Sequence, residues 1–401
     1  VTISHRLLDQ NDADASIRLG QEAFGFPSDP APATVAPAKP FPPAGAHAHG
    51  IFDGDELAAR LFAREYLSHF AGEQVPTCGI AGVTVKAEYR GRGLLTDLFA
   101  AVHDAAKDRG EVISTLFPTA PGIYRRFGYE LVGDYSTVEI PSAALASIRR
   151  PAGIEVRRAG VDDAEAIQRV YHQWASSQHG PLTRTGPSFS GGAAEFLDSF
   201  NGVTVAVDSA QQVVGFASWD RGPSTGRGSA FEVSDLIGST AAATAALWSV
   251  VASFASVTGK VKVDTSGDDL ARFALPSVDW SVVSPRPYML AVLDVAGAFT
   301  ARSVTAAIAA ELEFAIAGHP IGAQNGGYRL NVGAGQVDCR HASDSGGVRT
   351  YSPQGIAVAY AGTQSSANLR TVGMLSGGDP GDDSVWDALF GGHQFHIRDY
   401  F

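Results

Sequence analysis

The sequence has 401 residues, with 42 Asp or Glu against 30 Lys or Arg, giving a formal net charge of −12 at neutral pH. At roughly 150 residues per domain the length allows two or three domains, and 45% apolar with only 18% charged content excludes a disordered chain. An acidic chain without Lys/Arg-rich runs lacks the electrostatic footprint of a nucleic-acid binder, and Cys78 and Cys339 form neither a disulfide framework nor a zinc cluster, which fits a reducing cytoplasm.

No basic segment followed by an apolar run opens the sequence, so no secretory leader is expected. A strand is predicted at residues 3–8, then a helix capped by Asn11-Asp12-Ala13-Asp14 and running to about Phe24. Residues 27–43 are dominated by Pro and Ala and read as an extended loop bordering a ligand cleft. Strands at 58–70 and 79–85 follow, then a helix at 94–107 with Leu95, Leu98, Phe99 and Val102 on one face. A strand at 112–117, a short helix at 122–127 and a strand at 129–140 complete a mixed α and β unit.

After a linker ending in Pro151-Ala152-Gly153, a second strand and capped helix appear, with Asp162 and Ile167 standing 150 positions after Asp12 and Ile17. This is an internal repeat signal. Strands are predicted at 203–207, 213–219 and 231–236. Residues 236–259 carry no charge and are long enough to span a bilayer, but nine of them are Gly, Ser or Thr, and Ser239 or Thr240 can cap a buried helix. The pattern breaks at Ser284-Pro285-Arg286-Pro287. The remainder reads as an Ala-rich helix at 304–317, strands at 328–332 and 336–341, and helices at 357–361 and 384–390, a third small domain.

The chemistry-bearing stretch is Val83-Thr84-Val85-Lys86-Ala87-Glu88-Tyr89-Arg90-Gly91-Arg92-Gly93-Leu94-Leu95-Thr96. A strand leads through a Gly-punctuated turn directly into a helix. Unpaired N–H groups and the helix dipole make such a helix start an anion site, Gly91 and Gly93 let the backbone approach a ligand, and Arg90 and Arg92 add positive charge. Arg90 to Leu95 resembles motif A of the GCN5-related N-acetyltransferases, R/Q-x-x-G-x-G/A, and Leu95 in place of Gly or Ala is similar to one subgroup, the enhanced intracellular survival (Eis) family. Gly122-Ile123-Tyr124-Arg125-Arg126-Phe127-Gly128-Tyr129 resembles a second Eis motif, and the sequence closes on Tyr400-Phe401 as that family closes on an aromatic residue.

The resemblance implies an α+β architecture in three parts: an acetyl-CoA-binding acetyltransferase domain at 1–140, a degenerate second copy at 141–290, and a sterol-carrier-like domain at 291–401. The second copy has Ile237-Gly238-Ser239-Thr240 where the cradle should be, with neither arginine nor paired glycines, so it should not bind the cofactor. In the first copy, Val83, Thr84 and Val85 would pair with pantetheine and supply oxyanion donors, Arg90 to Thr96 would hold the diphosphate, and Thr119 and Ala120 would line the thiol end. Tyr124 would be the general acid and the Phe401 main-chain carboxylate the general base. With unperturbed pKa values near 10 for tyrosine and about 8.5 for a thiol, full transfer from Tyr124 is uphill by about 2 kcal/mol, so its hydroxyl must act largely by hydrogen bonding.

The acceptor implied by resemblance is an amine of a polycationic small molecule such as an aminoglycoside, and the acidic balance suits it. Lysine side chains, polyamines, or a non-catalytic CoA- and lipid-binding role stand as alternatives. The resemblance also implies a homo-hexamer. His47 with His49 and His393 with His396 lack further ligands, so no metal is expected. The Asp379, Asp382 and Asp383 cluster reads as a solvated turn, and Asp399 as either a partner for a cationic substrate or a surface acid.

Overall fold

The first half of the chain contributes β1 (Ile3–Leu7), α1 (Ala13–Phe24), β2 (Ala46–Asp53), β3 (Glu56–Phe70), β4 (Glu73–Val85), α2 (Leu94–Asp108), β5 (Ile113–Leu116), α3 (Pro121–Arg125) and β6 (Glu130–Pro141). The second half follows a similar order with β7 (Glu155–Arg158), α4 (Ala164–Ser176), β8 (His179–Leu182), α5 (Ala193–Asp198), β9 (Gly202–Val207), β10 (Val213–Arg221), β11 (Gly226–Gly238), α6 (Ala241–Ser253), β12 (Thr258–Ser266) and β13 (Ser281–Val292). The structure is a computed structural model and describes residues 3–25, 40–222, 226–275, 279–343 and 347–401. Most of the Pro/Ala-rich segment at 27–43 lies outside the described residues.

All thirteen strands named so far lie in one sheet of order β1-β2-β3-β4-β5-β13-β6-β12-β11-β10-β9-β7, with β8 set against β3. The halves exchange strands at the centre. β6 of the first half pairs with β12 of the second, while β13 of the second lies between β5 and β6 of the first. A division at 290 therefore falls inside a strand whose partners, from Met289↔Leu116 to Val292↔Ile113, are in the first half.

The break expected at Pro285 and Pro287 is part of β13. Proline lacks the N–H that a central strand needs on both sides. β5 pairs only with residues 289–292, so at the two prolines β13 has β6 as its one strand neighbour, opposite Ser136 and Asp134. The register also shifts on either side of this stretch.

Two apolar faces hold the cofactor-side elements in place. Leu94, Leu98, Phe99, Val102 and Ala106 of α2 recur at helical spacing and pack on Ala59, Leu61 and Ala63 of β3 and Ile80 of β4. Each large side chain buried this way contributes about 1.5–3 kcal/mol. In the second half α6 buries Ala243, Ala246, Leu247, Trp248 and Val251. No helix among the described residues is long and apolar enough to cross a membrane.

A separate five-stranded sheet follows, built from β14 (Ala310–Ile316), β15 (Gly326–Gly333), β16 (Gln336–Ala342), β17 (Arg349–Tyr351) and β18 (Leu375–Ser376) in the order β16-β15-β14-β17-β18. The helix expected at 304–317 is instead β14. Its sequence alternates, with Leu312, Phe314 and Ile316 against Glu311 and Glu313, a period of two that the alanine content masked. Phe314 stacks on Tyr328 and meets Trp386 edge-on at the centre of this layer.

Candidate active site

β3 and β4 pair with one irregularity: Arg60 faces Thr84 and Phe62 faces Ala81, so Gly82 and Val83 together oppose Leu61. Gly82 takes φ 57° in this bulge, in the left-handed region that a side chain resists. β4 and β5 run parallel from Thr77↔Ile113 to Ile80↔Leu116 and pair no further. Beyond that fork, the edge of β4 that faced β5 has no strand partner among the described residues. Lys86 donates its N–H to the Ala58 carbonyl at 2.9 Å, so alternation turns the Thr84 backbone toward β3 and those of Val83 and Val85 toward the fork. The Thr84 hydroxyl donates to the Gly82 carbonyl at 3.1 Å and braces the bulge.

The turn after β4 is anchored by Tyr89, a buried ring whose hydroxyl donates to Glu56 at 2.9 Å and Asp53 at 3.2 Å. Gly91 and Gly93 then adopt φ 78° and 82°, and no atom lies within 4 Å of where a Cβ would stand on either. α2 starts at Leu94 with no side-chain cap. The Thr96 N–H bonds the Gly93 carbonyl at 2.8 Å, which leaves its hydroxyl for other contacts. Leu94 and Leu95 keep N–H groups with no internal partner, as the first turn of a helix must. Arg92 lies over the Tyr89 ring at 4.7 Å, and Arg90 donates to the Val85 carbonyl at 3.3 Å. Neither pairs with a carboxylate among the described residues. Open space, uncapped donors and two uncompensated cations converge on one turn, the donor set a diphosphate requires.

Thr119 and Ala120 follow β5 across the fork, and Pro121 starts α3. Tyr124 on α3 is buried, its ring edge-on to Phe99 and Tyr129 at 6.0 and 6.4 Å. Burial pushes its pKa above 10, with the Thr119 side chain opposing the shift, so it is a neutral donor throughout the physiological range. Tyr129 of the same motif is already engaged, its hydroxyl 2.6 Å from Ser114 and 3.1 Å from His103.

Phe401 arrives at the fork from the far end of the sequence. Its ring packs on Tyr66 at 4.9 Å, Phe117 at 5.5 Å and Tyr288 at 6.2 Å, and a Cβ on Gly79 would come within 3.0 Å of it. Gly79 precedes the last β4–β5 pair, and Phe117 follows it. No sequence motif marks Tyr66 or Phe117 as site residues; Gly79 and Gly82 inside strand β4 do carry a signal, since glycine within a strand marks a bulge or a close approach.

Other expectations resolve differently. Asp399 is neither a free acid nor a surface acid: its side chain is 16% exposed and pairs with Arg184 at 2.8 Å. Asp383 is not solvated either, since it takes Arg349 and Arg370 together, which hold its carboxyl below the usual range. His47 bonds Glu65 at 2.7 Å and His49 bonds His5 at 3.0 Å. Among the described residues no group of three or more His, Cys, Asp or Glu is placed to hold a metal ion. In the second half, β11 runs to Gly238 and α6 begins at Ala241, with the Thr240 hydroxyl accepting from the Ala243 N–H. The side chain thus caps one donor of a helix start that α2 leaves without a side-chain cap.

The chain is similar to known proteins in sequence and in fold. The model of an acetyltransferase (GNAT) domain fits residues 4–132, and a second acetyltransferase (GNAT) domain model fits residues 180–293. An N-acetyltransferase of Streptomyces avermitilis is 29% identical over 367 residues, 85% of this chain and 84% of that protein. The N-acetyltransferase Eis of Mycobacterium tuberculosis is 27% identical over 143 residues, 34% of this chain and 35% of that protein. A GCN5-related N-acetyltransferase from Kribbella flavida superposes with a TM-score of 0.83 at 28% identity, covering 100% of this chain and 98% of the other. Eis1 from Mycobacterium abscessus shares the fold over the whole of both chains, with a TM-score of 0.76 at 20% identity. With two acetyltransferase domains in one sheet and full-length relatives of the same kind, the chain belongs to the GCN5-related N-acetyltransferases as an Eis-like member.

Proposed function

We propose that this protein transfers the acetyl group of acetyl-CoA to an amine of a cationic small molecule, with aminoglycosides as the first class to test. The observation that carries the reading is the meeting of the β4–β5 fork with the uncapped, arginine-flanked start of α2. The backbone groups of Val83 and Val85 pair with the pantetheine amides and donate to the developing oxyanion, a role best filled by donors that need no rearrangement. The N–H groups of Gly91 to Leu95, the charges of Arg90 and Arg92 and the Thr96 hydroxyl hold the diphosphate. Thr119 and Ala120 line the thiol end. The cosubstrate supplies an activated thioester. Tyr124 hydrogen-bonds the departing sulfur, and its raised pKa makes that bond, rather than complete proton transfer, its main contribution.

Phe401 supplies its main-chain carboxylate to the incoming amine, stabilising positive charge as the bond forms. A cavity of about 550 Å³ between α4, residues 184–192 and α5 suits the acceptor. Tyr171, Phe189, Phe196 and Phe216 give it aromatic walls, and the exposed Glu165 and Glu195 give it negative charge. Phe189 packs on Tyr66, which packs on Phe401, linking this cavity to the fork. Aromatic faces and carboxylates together attract a cation. A sterol-carrier-like third part, a homo-hexamer and a cytoplasmic setting extend the same reading.

A thiol-release assay with acetyl-CoA and a panel of aminoglycosides, polyamines and lysine peptides tests it. Release with aminoglycosides that is lost when residues are appended after Phe401 supports the whole scheme. Tight CoA binding without release from any amine points to a non-catalytic protein, and full activity in the extended chain removes Phe401 from the mechanism.

A further inference from the structure

The second half of the sheet has its own fork. β11 and β12 run parallel to the pair Val233↔Val263, as β4 and β5 run to Ile80↔Leu116. The first residues past the second fork are Ser234 and Asp264. Their carbonyls both accept from one nitrogen, Nη2 of Arg398, at 3.1 and 3.0 Å. Arg398 thus bridges the diverging strands at the place where an acetyltransferase domain admits pantetheine. Its Nε donates to Asp235 at 2.9 Å and its Nη1 to Asp269 at 3.2 Å, and its side chain is 4% exposed. The space next to it remains as a cavity of about 490 Å³ walled in part by Trp174, Leu236 and Trp248.

The contacts on either side of Arg398 follow the same path. The His396 N–H bonds the His179 carbonyl of β8 at 2.8 Å, and Phe395 bridges to the same residue. Asp399 takes Arg184, which also holds Asp235 at 2.7 Å. Arg184 has φ 54°, a left-handed conformation uncommon outside glycine, and its guanidinium lies 4.0 Å from the Tyr171 ring centroid. Three residues after Arg398, Phe401 reaches Phe117, the first residue past the fork of the first half. One short segment therefore touches both forks.

We propose that the pantetheine groove of the second acetyltransferase domain is a binding site for the chain's own segment 395–401, with Arg398 as its ligand group and Asp235, Asp269 and Arg184 as its walls. The degenerate domain keeps the fork and replaces the cofactor by a guanidinium. Arg398, Asp235 and Arg184 are then positioning residues for Phe401, a consequence that rests on the role proposed for Phe401 above. Arg398, 4% exposed, and Arg184, 19% exposed, are shared among three carboxylates and hold the segment more rigidly than a fully exposed pair would, because their charges are largely desolvated and satisfied in one geometry.

Hydrogen exchange of the full chain, read by mass spectrometry beside kcat and acetyl-CoA affinity, tests this. In the wild-type protein, peptides carrying the His396 amide, which donates to the His179 carbonyl, are expected to hold that proton as long as β11 and β12 hold theirs, and loss at the rate of a frayed terminus overturns the proposal. Arg398→Ala is expected to speed exchange of the His396 amide by at least about tenfold while leaving α2 amides and acetyl-CoA affinity as they were. Added guanidinium ion should restore part of the protection. A matching fall in kcat of at least about tenfold supports both the socket and the role of Phe401. Faster exchange with unchanged kcat supports the socket and removes Phe401 from catalysis, whereas unchanged exchange refutes the socket whatever kcat does.

Discussion

Asp163 repeats Asp12 at an interval of 151 residues, each closing the first connection of its half of the sheet. Asp12 takes both guanidinium nitrogens of Arg6 at 2.7 and 2.8 Å and accepts the Asp9 N–H at 2.9 Å. Asp163 takes both of Arg157 at 2.6 and 2.8 Å and accepts the Gly160 N–H at 2.8 Å. Replacing either aspartate by alanine removes the acceptor for the N–H three residues earlier and a two-toothed ion pair. Each variant should lose about 1–2 kcal/mol of stability, read as a shift in denaturant midpoint without a change in slope. Equal losses in the two variants are expected if the devices are equivalent, and a loss at only one position would show that the other half tolerates an open entry.

The repeat was legible in the sequence but set one residue off. An interval of 150 matches Ile17 with Ile167, yet Ile17 is 52% exposed while Ile167 is buried. The interval of 151 matches Ser16, Leu19 and Gly20 with Ile167, Val170 and Tyr171, all buried on the helix face toward the sheet. Residue identity misled because the buried position in the first helix is a serine. The Arg90-Gly91-Arg92-Gly93 turn was readable because its function depends on local conformation, which glycine reports directly. Strand exchange by β13, the Arg398 bridge and the place of Phe401 depend on pairings across more than a hundred residues, and no local pattern encodes them. β2 escaped notice because it is buried on both faces, which blurs its alternation.

Gly93→Ala should separate the phosphate turn from general stability. At φ 82° a Cβ costs about 1–2 kcal/mol, while the open space above it means no further clash. The strain is relieved by moving the turn, which carries the Leu94 and Leu95 N–H groups with it. Acetyl-CoA affinity measured by calorimetry should fall by about tenfold or more, a larger effect than the change in melting temperature implies. Arg92→Gln should weaken binding as well, and its deficit should shrink as salt rises, because Arg92 is exposed and its attraction to the ligand is screened. A deficit independent of salt would assign Arg92 a packing role through Tyr89.

Tyr124→Phe keeps the ring against Phe99 and removes only the hydroxyl. The fold and acetyl-CoA affinity should be unchanged, and kcat should fall by about 100-fold or more, the usual contribution of a positioned proton donor. Since burial raises the Tyr124 pKa, any loss of activity from tyrosine ionisation should set in at a higher pH than a free tyrosine would give. Wild-type turnover in this variant would leave Tyr124 as a core residue.

Buried histidines set the acid limit of the fold. Burial lowers the pKa of His49 to about 4 and of His103 to about 3, with the charges of neighbouring groups adding to the shift, against an ordinary value of 6.5. Both are neutral in the folded chain below pH 6.5, whereas the unfolded chain binds their protons there. The unfolded state then carries more protons, so stability is level above pH 6.5 and declines as pH falls from 6.5 toward the folded values. Each such histidine contributes a slope of about 1.4 kcal/mol per pH unit across that window. His103→Gln keeps a hydrogen-bonding group for the Tyr129 hydroxyl and cannot titrate. It should lower stability at neutral pH through imperfect packing yet flatten the decline between about pH 6 and 4 by one histidine's share. Urea midpoints measured across that range decide the matter, and an unaltered slope would mean that His103 is already protonated in the folded chain.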